Sequence, residues 1–333
     1  MRFSTIAFLF MIASIQGSPE AGAFQDQTVA APREEVLLGT PVIVAPLTCE
    51  NLALYILEDP AAKSVGDFIT LEEGLKTGKV RVSEQPQAQV NELLIENVST
   101  RPCFVQAGDV VKGGQQDRAI ASDLVVPPRS GRIPVRSFCV EHGRWSGGGG
   151  AGFGTSTGLV MGARLRAAIQ KDRDQEKVWK AVEEAKKSLV ATNSLRASQS
   201  TSLNEQMEDK RVRDRLAAFW KVLGKACDKR DHAVGLVTAI NGKLSTADVY
   251  GDPVLFRKLF PRLLASAALE AISAPAANAQ APSTLDVSKL LAMADKGKPV
   301  EEAGSAVIRE SNRTLQFRCL YDKVELHRQS LVK

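Results

Sequence analysis

Short β-type segments crowd the first part of this chain and constrain its fold more than any other feature. Glycine, proline, asparagine and aspartate separate them at close spacing, which is typical of strands joined by tight turns. The segments are Val42–Leu47, Leu52–Leu57, Lys79–Val82, Glu92–Asn97, Cys103–Ala107, Ala119–Val126 and Ile133–Val140. Parallel pairing needs crossovers of a dozen or more residues, so these short connections predict antiparallel pairing.

The apolar period becomes helical in the second half of the chain. One predicted helix places Val178, Val182, Ala185 and Leu189 on a single face. A second helix has Val212, Leu216, Phe219 and Leu223 in register. Its outward side carries Arg211, Arg213 and Arg215, which we interpret as a solvated face.

A hairpin, a third helix and terminal strands complete the pattern. Asn241-Gly242 is a strong hairpin turn signal, and Asp252-Pro253 predicts the start of a helix over Val254–Ile272 that is kinked or broken near Pro261. A short helix, Val287–Ala294, and strands follow, with His327 on a solvent-facing strand position. The fold class is therefore α+β: an antiparallel β-rich N-terminal half, then helices with an embedded β-hairpin and C-terminal strands.

The N-terminus predicts export. Met1-Arg2 gives a short positive region, Ile6 to Ile15 is apolar, and Ala21-Gly22-Ala23 has the small-x-small pattern of a cleavage site. The apolar run is shorter than the roughly 20 residues that span a bilayer. We therefore predict a signal peptide at residues 1–23 and a periplasmic or extracellular protein without stable membrane insertion.

The remaining chain divides by composition. Residues 24–39 are polar and predict a disordered lead, and residues 40–273 predict one α+β domain. Within it, residues 147–158 hold seven glycines and predict a flexible loop. Residues 274–284 are a small-residue linker, and residues 285–333 are expected to pack on the domain as a helix and strands.

Charge and cysteine content narrow the classes of function. The net charge is +5, with basic and acidic residues interspersed, so we predict no nucleic-acid partner. Five cysteines leave two interpretations open, namely buried thiols or a Cys103–Cys139 bridge. Three scattered histidines lack the spacing of metal ligands, and no motif indicates a cofactor.

The reactive side chains concentrate at two places. The first is the glycine-rich turn from Gly108 to Arg118, with Asp109, Gln116 and Arg118. The second follows a predicted strand and contains Glu141, Arg144 and Trp145. If the intervening hairpin brings them together, the arginines suit an anionic group, Trp145 suits stacking, and Glu141 suits a general base. The alternative is an ion pair that locks a corner of the fold.

The same residues resemble a known family. The strings Asn97-Val-Ser99-Thr-Arg-Pro102, Gly108-Asp109, Gly113 to Arg118, Ile133-Pro134-Val135 and Cys139-Val-Glu-x-Gly-Arg-Trp145 are similar to the ARPP domain, the ARG and rhodanese-phosphatase-superfamily-associated protein domain. Gln115 and Asp117 depart from the lysine and asparagine expected there. The resemblance implies a domain of unestablished activity, associated with ADP-ribosylglycohydrolase-like and phosphatase-like proteins.

Three functional hypotheses follow. The leading one is an exported ARPP-type protein that binds a small anionic or ADP-ribose-like ligand at Asp109, Gln116, Arg118, Glu141, Arg144 and Trp145. The second is a non-catalytic envelope scaffold or protein-interaction module in which these residues are structural. The third is a serine hydrolase based on Gly154-x-Ser156-x-Gly158, which lacks the preceding buried strand that a nucleophile elbow requires.

Overall fold

The fold is known from a computed structural model, which describes residues 38–85, 91–141, 152–160, 162–193, 209–277, 279–303 and 306–333. These ranges contain six α-helices and eighteen strands in three sheets, which confirms the predicted α+β class. The predicted signal peptide and the lead up to residue 37 lie outside the described residues. Arg144 and Trp145 also lie outside them.

The helices and strands have the following bounds. The helices are α1 (Leu71–Lys76), α2 (Ala163–Ala167), α3 (Gln175–Asn193), α4 (Lys210–Leu223), α5 (Pro253–Ser273) and α6 (Thr284–Asp295), and a π-helical turn, Ala168–Asp172, continues α2. The strands are β1 (Val42–Ile43), β2 (Leu47–Cys49), β3 (Leu52–Glu58), β4 (Ile69–Thr70), β5 (Val80–Glu84), β6 (Glu92–Asn97), β7 (Cys103–Val105), β8 (Asp109–Gly113), β9 (Arg118–Ile120), β10 (Leu124–Val126), β11 (Arg132–Cys139), β12 (Phe153–Val160), β13 (Ala233–Ile240), β14 (Lys243–Tyr250), β15 (Lys298–Ala303), β16 (Ala306–Glu310), β17 (Thr314–Tyr321) and β18 (Val324–Val332).

The largest sheet joins the two ends of the described chain. Its order is β1-β3-β13-β14-β18-β17-β16-β15, with β2 paired to β3, and every pair is antiparallel. Asn241 and Gly242 join β13 to β14 with φ angles of 50° and 72°. A tight hairpin turn needs such positive angles, which Asn and Gly adopt most readily. The predicted hairpin is confirmed.

Two smaller sheets form from the β-rich region that precedes residue 161. One has the order β12-β8-β9-β11-β6-β5, and the other has the order β10-β7-β4. The β4–β7 pair is parallel, which is the exception to the predicted antiparallel pairing. The C-terminal strands belong to the large sheet, where β18 lies between β14 and β17.

The prediction of a flexible loop at residues 147–158 is wrong for residues 153–158. Residues 153–158 lie in β12, where Phe153, Gly154 and Thr155 pair with β8 and the register shifts before the next pair at Val160. Pairing with β8 at both ends of β12 holds this segment even though glycine has little intrinsic preference for strands. Ser156 therefore lies within a strand and not on a strand-to-helix turn, so the nucleophile-elbow interpretation fails.

The core lies on both faces of the large sheet. Alternate residues of β3 point to opposite sides, as the strand period of two requires. Leu54 and Ile56 join the cluster that contains the buried face of α5, whereas Tyr55 and Leu57 join a second cluster with Val287 of α6. The sheet is thus covered by helices on each side, which explains why β3 is almost continuously apolar.

Helix α5 begins as predicted but does not break. The Asp252 carboxylate accepts hydrogen bonds from the backbone N–H groups of Val254 at 2.7 Å and Leu255 at 3.0 Å, and Pro253 occupies the first turn. The helix runs through Pro261 to Ser273 without interruption. Pro261 is exposed, whereas its neighbours Leu259 and Leu263 are buried, so packing on both sides keeps the helix continuous.

Candidate functional site

Gln116 and Arg118, two of the predicted site residues, lie beside the β9–β11 pair. Arg118 Nη1 donates to Cys139 Sγ at 2.7 Å and to Gln116 Oε1 at 3.2 Å. Arg118 lies opposite Cys139 in the strand register, so the pairing of the strands itself sets the first contact. The guanidinium is 2% exposed and also lies near Glu84, at 3.8 Å. Its charge is therefore directed into the protein.

Glu141, another predicted site residue, lies at the same corner and binds a backbone N–H group. Its carboxylate accepts a hydrogen bond from the N–H of Asp117 at 3.1 Å. Asp117 in turn accepts one from the N–H of Gly113, also at 3.1 Å. Glu141 is only 5% exposed. The Glu141 carboxylate thus orients the turn that precedes β9.

Asp109 has a different partner from the other predicted site residues. It forms a buried salt bridge with Arg262 of α5 and accepts a hydrogen bond from the backbone N–H of Gln106 at 3.1 Å. Burial raises the pKa of Asp109, and Arg262 acts against that rise. Asp109 and Arg118 thus serve separate contacts, one between β8 and α5 and the other between β9 and β11.

A buried ionisable cluster surrounds His327, which the sequence analysis placed on a solvent-facing strand position. That prediction is wrong, because His327 is fully buried. Its Nδ1 lies 2.6 Å from Asp123 Oδ2, and its Nε2 lies 3.3 Å from Asp248 Oδ1. The ring also stacks on Tyr250 with 4.3 Å between the centroids. We call Asp123, Arg166, Asp248, Tyr250, His327 and Gln329 the histidine cluster.

Asp248 is the central acceptor of the histidine cluster. Arg166 donates to both of its oxygens, at 2.9 and 3.4 Å, and Gln329 Nε2 donates at 3.0 Å. Burial opposes ionisation of Asp248, but Arg166 and His327 outweigh it and lower its pKa. Burial likewise opposes the charge on His327, but Asp123 and Asp248 raise its pKa to about 9. Two carboxylates and two cations therefore balance inside the protein.

One sequence signal pointed to this cluster. His327 and Gln329 occupy alternate positions of β18, where a strand places its side chains on one face. Polar residues on one face of a strand indicate either solvent or internal partners. Only the position of β18 inside the sheet decides between them, since β14 supplies Asp248 directly opposite Gln329.

A cavity of about 1080 Å³ lies beside the β13–β14 hairpin. It is bounded by the start of α2, by α3, by the C-terminal half of α5, and by α6. Its volume lies just above the range of roughly 300–1,000 Å³ that is usual for small-molecule sites. Much of its wall is apolar, including Leu165, Ala181, Leu244, Leu269, Leu290 and Met293.

Glu270 is the carboxylate built into the wall of the cavity. Its Oε1 accepts a hydrogen bond from the N–H of Ala163, and its Oε2 lies 3.5 Å from Ser245 Oγ. Gly162 makes room for it, since a Cβ there would lie 2.4 Å from Glu270 Oε1. Burial raises the pKa of Glu270, against the opposing effects of Ala163 and Arg166. Burial thus disfavours the ionised form of this carboxylate.

Basic side chains border the same cavity. They are Arg164, Lys243, Lys289, Arg313 and Lys333, against the three acidic residues Glu184, Glu270 and Asp286. Arg164, Lys243 and Arg313 are exposed and form no salt bridge with any residue that the structure describes. Their charges are directed to solvent at the border of an apolar cavity, which suits an anionic group on an otherwise apolar molecule.

The cysteines and possible metal ligands form no further site among the described residues. All five cysteines are free, and burial raises the pKa of Cys227 to about 12. The buried-thiol alternative therefore applies to four of them, and the Cys103–Cys139 bridge does not form. In the same described ranges, no group of three or more His, Cys, Asp or Glu side chains is arranged to hold a metal.

Comparison with protein-family models gives one match. The model of the ARG and Rhodanese-Phosphatase-superfamily-associated Protein domain covers residues 41–332. The chain belongs to this family. The match to the ARPP domain runs beyond the predicted boundary at residue 273 and includes α6 and the C-terminal strands, in agreement with their place in the large sheet.

No curated protein and no solved structure matches the chain. The ARPP domain itself has no established activity, so membership of the family shows what the chain is related to but assigns it no reaction or ligand. Among the described helices of this ARPP protein, none is long and apolar enough to cross a membrane.

Proposed function

We propose that this ARPP protein is exported and that its cavity binds a small amphiphilic anion. The proposal of export rests on the N-terminal pattern of a positive residue, an apolar stretch and a small-x-small site. The family match begins at residue 41, so this segment precedes the domain. Export and ligand binding are independent parts of the proposal and are tested separately.

The observation that carries ligand binding is the pairing of an apolar cavity with unpaired cations at its border. An apolar chain or ring of a ligand is removed from water, which is favourable, when it packs against Leu165, Leu244 and Leu269. Arg164 and Lys243 can then receive a carboxylate or phosphate without first breaking a salt bridge. A purely polar anion gains nothing from the walls, and a neutral apolar ligand gains nothing from the cations.

The corner of Arg118 and Glu141 supports ligand binding less well. Arg118 and Glu141 are already bound to Cys139 Sγ and to the Asp117 N–H. A ligand there must displace internal hydrogen bonds, which costs about 1–3 kcal/mol for each buried group left unsatisfied. The part of the predicted site formed by Arg144 and Trp145 stays a prediction, because both residues lie outside the described ranges.

A thermal-shift comparison tests the cavity directly. Decyl phosphate below its micelle concentration is the probe, with inorganic phosphate, decanol and ADP-ribose as comparison compounds. Decyl phosphate is expected to stabilise the protein by about 2.7 kcal/mol at a concentration 100 times its Kd, and the comparison compounds by much less. Arg164→Gln with Lys243→Gln is expected to abolish most of that shift.

Matched controls separate the cavity from the corner. Lys63→Gln with Lys79→Gln removes the same charge from exposed positions outside the cavity and should keep the full shift. If ADP-ribose stabilises the protein and Glu141→Gln removes that effect, the ligand site is at the corner and the cavity proposal is wrong. Export is tested by fractionation, where retention of residues 1–23 in a cytoplasmic product would contradict it.

A further inference from the structure

Helix α4 and the turn after it hold a concentration of positive charge. Residues 209–230 contain eight Lys or Arg and three Asp, a net +5. The whole chain also has a net charge of +5, so the charges of all the other residues together sum to zero. The expectation that basic residues are evenly interspersed is therefore wrong for this segment, which is the electropositive region of the molecule.

The outward face of α4 also exposes apolar side chains. Phe219 and Leu223 point inward and are fully buried in the core beside α5. Trp220 and Val222, by contrast, are 47% and 56% exposed. Leaving an indole half in water is unfavourable by itself, and tryptophan is the residue that most prefers an interface between apolar and aqueous phases.

Positive charge and the exposed indole of Trp220 lie on the same side of α4, whereas Val222, two residues from Trp220, lies on the other flank. Helical spacing places Arg213, Ala217, Trp220 and Lys221 within one neighbourhood, since residues three, four and seven apart share a face. Lys225 follows directly after the end of the helix. Arg213, Lys221 and Lys225 form no salt bridge with a described residue.

The remaining cations of α4 are partly neutralised within the protein. Lys210 pairs with Asp214 at 2.6 Å, and Arg211 pairs with Asp209 at 3.6 Å. Arg215 pairs with Glu50 of the turn between β2 and β3. These contacts leave the end of α4 near Trp220 as its most positive and most apolar part.

We propose that this end of α4 docks on an anionic lipid surface. Lys221, Lys225 and Arg213 would contact lipid phosphates while Trp220 enters the boundary between headgroups and acyl chains. The neighbouring Ala217 and Ala218 are exposed and small, so they let the helix lie close to the surface. The phosphates of duplex DNA suit the cations equally well but leave the indole of Trp220 without an apolar environment, which is why the lipid surface is favoured.

Flotation with lipid vesicles tests the docking surface. The full-length protein is mixed with vesicles of phosphatidylcholine alone or with 30% phosphatidylglycerol. The apolar stretch Ile6 to Ile15 adds to binding in both cases, so the measured quantity is the gain that the anionic lipid gives. We expect clear binding to the anionic vesicles, little to the neutral ones, and loss of the difference as salt rises.

Substitutions then separate charge from the indole. Each of Lys221→Gln and Lys225→Gln should weaken binding to the anionic vesicles roughly fivefold, corresponding to about 1 kcal/mol per cation. Trp220→Ala should weaken it by a similar or larger factor. The control Lys63→Gln with Lys79→Gln removes two exposed charges elsewhere and should leave binding unchanged.

Three results would overturn the proposal. The first is equal binding to both kinds of vesicle. The second is a loss with the control variant as large as with the α4 variants. The third is tighter binding to double-stranded DNA than to anionic vesicles with no effect of Trp220→Ala, which would make α4 a nucleic-acid surface. Retained binding of decyl phosphate in the α4 variants would show that the cavity and the helix act independently.

Discussion

The histidine cluster and the cavity both set acidic side chains beside basic ones, with opposite results. In the histidine cluster, Asp248 and His327 are buried, and each has oppositely charged partners within hydrogen-bond or salt-bridge distance. At the cavity, Glu270 is half-buried and Arg164 and Lys243 face solvent without a salt bridge to a described residue. A buried charge must be neutralised inside the protein, whereas an exposed one can exchange water for a ligand.

The difference teaches that a strongly shifted pKa does not by itself mark a ligand site in this molecule. Strongly shifted pKa values often mark functional sites, but internal ion networks produce them as well. His327 and Asp248 have large shifts and no opening to solvent. Glu270 has a shift in a cavity, which makes it the better place to look for chemistry.

The largest expected effect is the loss of the central carboxylate of the histidine cluster. Asp248→Asn leaves Arg166 and His327 buried without their shared anion, so we expect a loss of about 3–5 kcal/mol in the free energy of unfolding. Urea titration measures it. Asp214→Asn, which breaks the exposed pair with Lys210, is the matched control and should change stability by less than about 1 kcal/mol. Equal effects of the two variants would contradict the buried network.

The next largest effect is a pH dependence carried by His327. Its pKa in the folded protein is about 9, above its ordinary value of 6.5. The protonated form therefore stabilises the fold fully below pH 6.5, and this contribution is lost as the pH rises toward 9. We expect a loss on the order of 2–3 kcal/mol over that window.

Urea titrations at pH 6 and pH 9 measure this loss. His327→Gln should remove the slope, whereas His232→Gln, at an exposed position, should keep it. An unchanged slope in His327→Gln would assign the pH dependence to other groups.

A smaller effect is expected where the cavity wall is tight. Gly162→Ala places a Cβ against the Glu270 carboxylate, which must move and lose its contact with the Ala163 N–H. Overpacking of this kind costs about 1–3 kcal/mol. Glu270→Ala in the same chain should recover part of that loss, so a double-mutant cycle should give a clear coupling energy. Purely additive effects would mean that Gly162 and Glu270 do not touch.

The smallest effect has the opposite sign. The raised pKa of Glu270 means that its ionised form is disfavoured in the fold, so this group lowers stability as the pH rises through its folded pKa. Glu270→Gln keeps an acceptor for the Ala163 N–H without the charge. We expect a gain of up to about 1 kcal/mol at pH 8 and almost none at pH 4. A large loss at pH 8 would place Glu270 with the paired charges of the histidine cluster.

Local signals in the sequence predicted much of the fold. The Asn241-Gly242 turn, the Asp252 cap and the strand Glu92–Asn97 appear where their residues indicate. Each depends on interactions within a few residues. Strand β12 was missed, because its conformation comes from β8, more than forty residues earlier in the chain.

The candidate site was harder to predict for the same reason. Glu141 and Arg118 attract attention because reactive residue types are adjacent in sequence, yet each is bound to protein groups. Arg166 and Asp248 are 82 residues apart, and Gly162 lies far from Glu270 in sequence. Only the order of strands in the sheet and the position of α2 bring those residues together.

The place of β18 has a consequence for how this chain acquires its structure. β18 is the last strand in chain order, yet it lies between β14 and β17 and carries His327. Until it emerges, β14 has an open edge and Asp248 has no histidine. Contacts so distant in sequence form slowly, because closing a long loop lowers the entropy of the chain before the stabilising contacts are made. We therefore expect the large sheet to assemble only after β18 has been synthesised, and not progressively from its first strand.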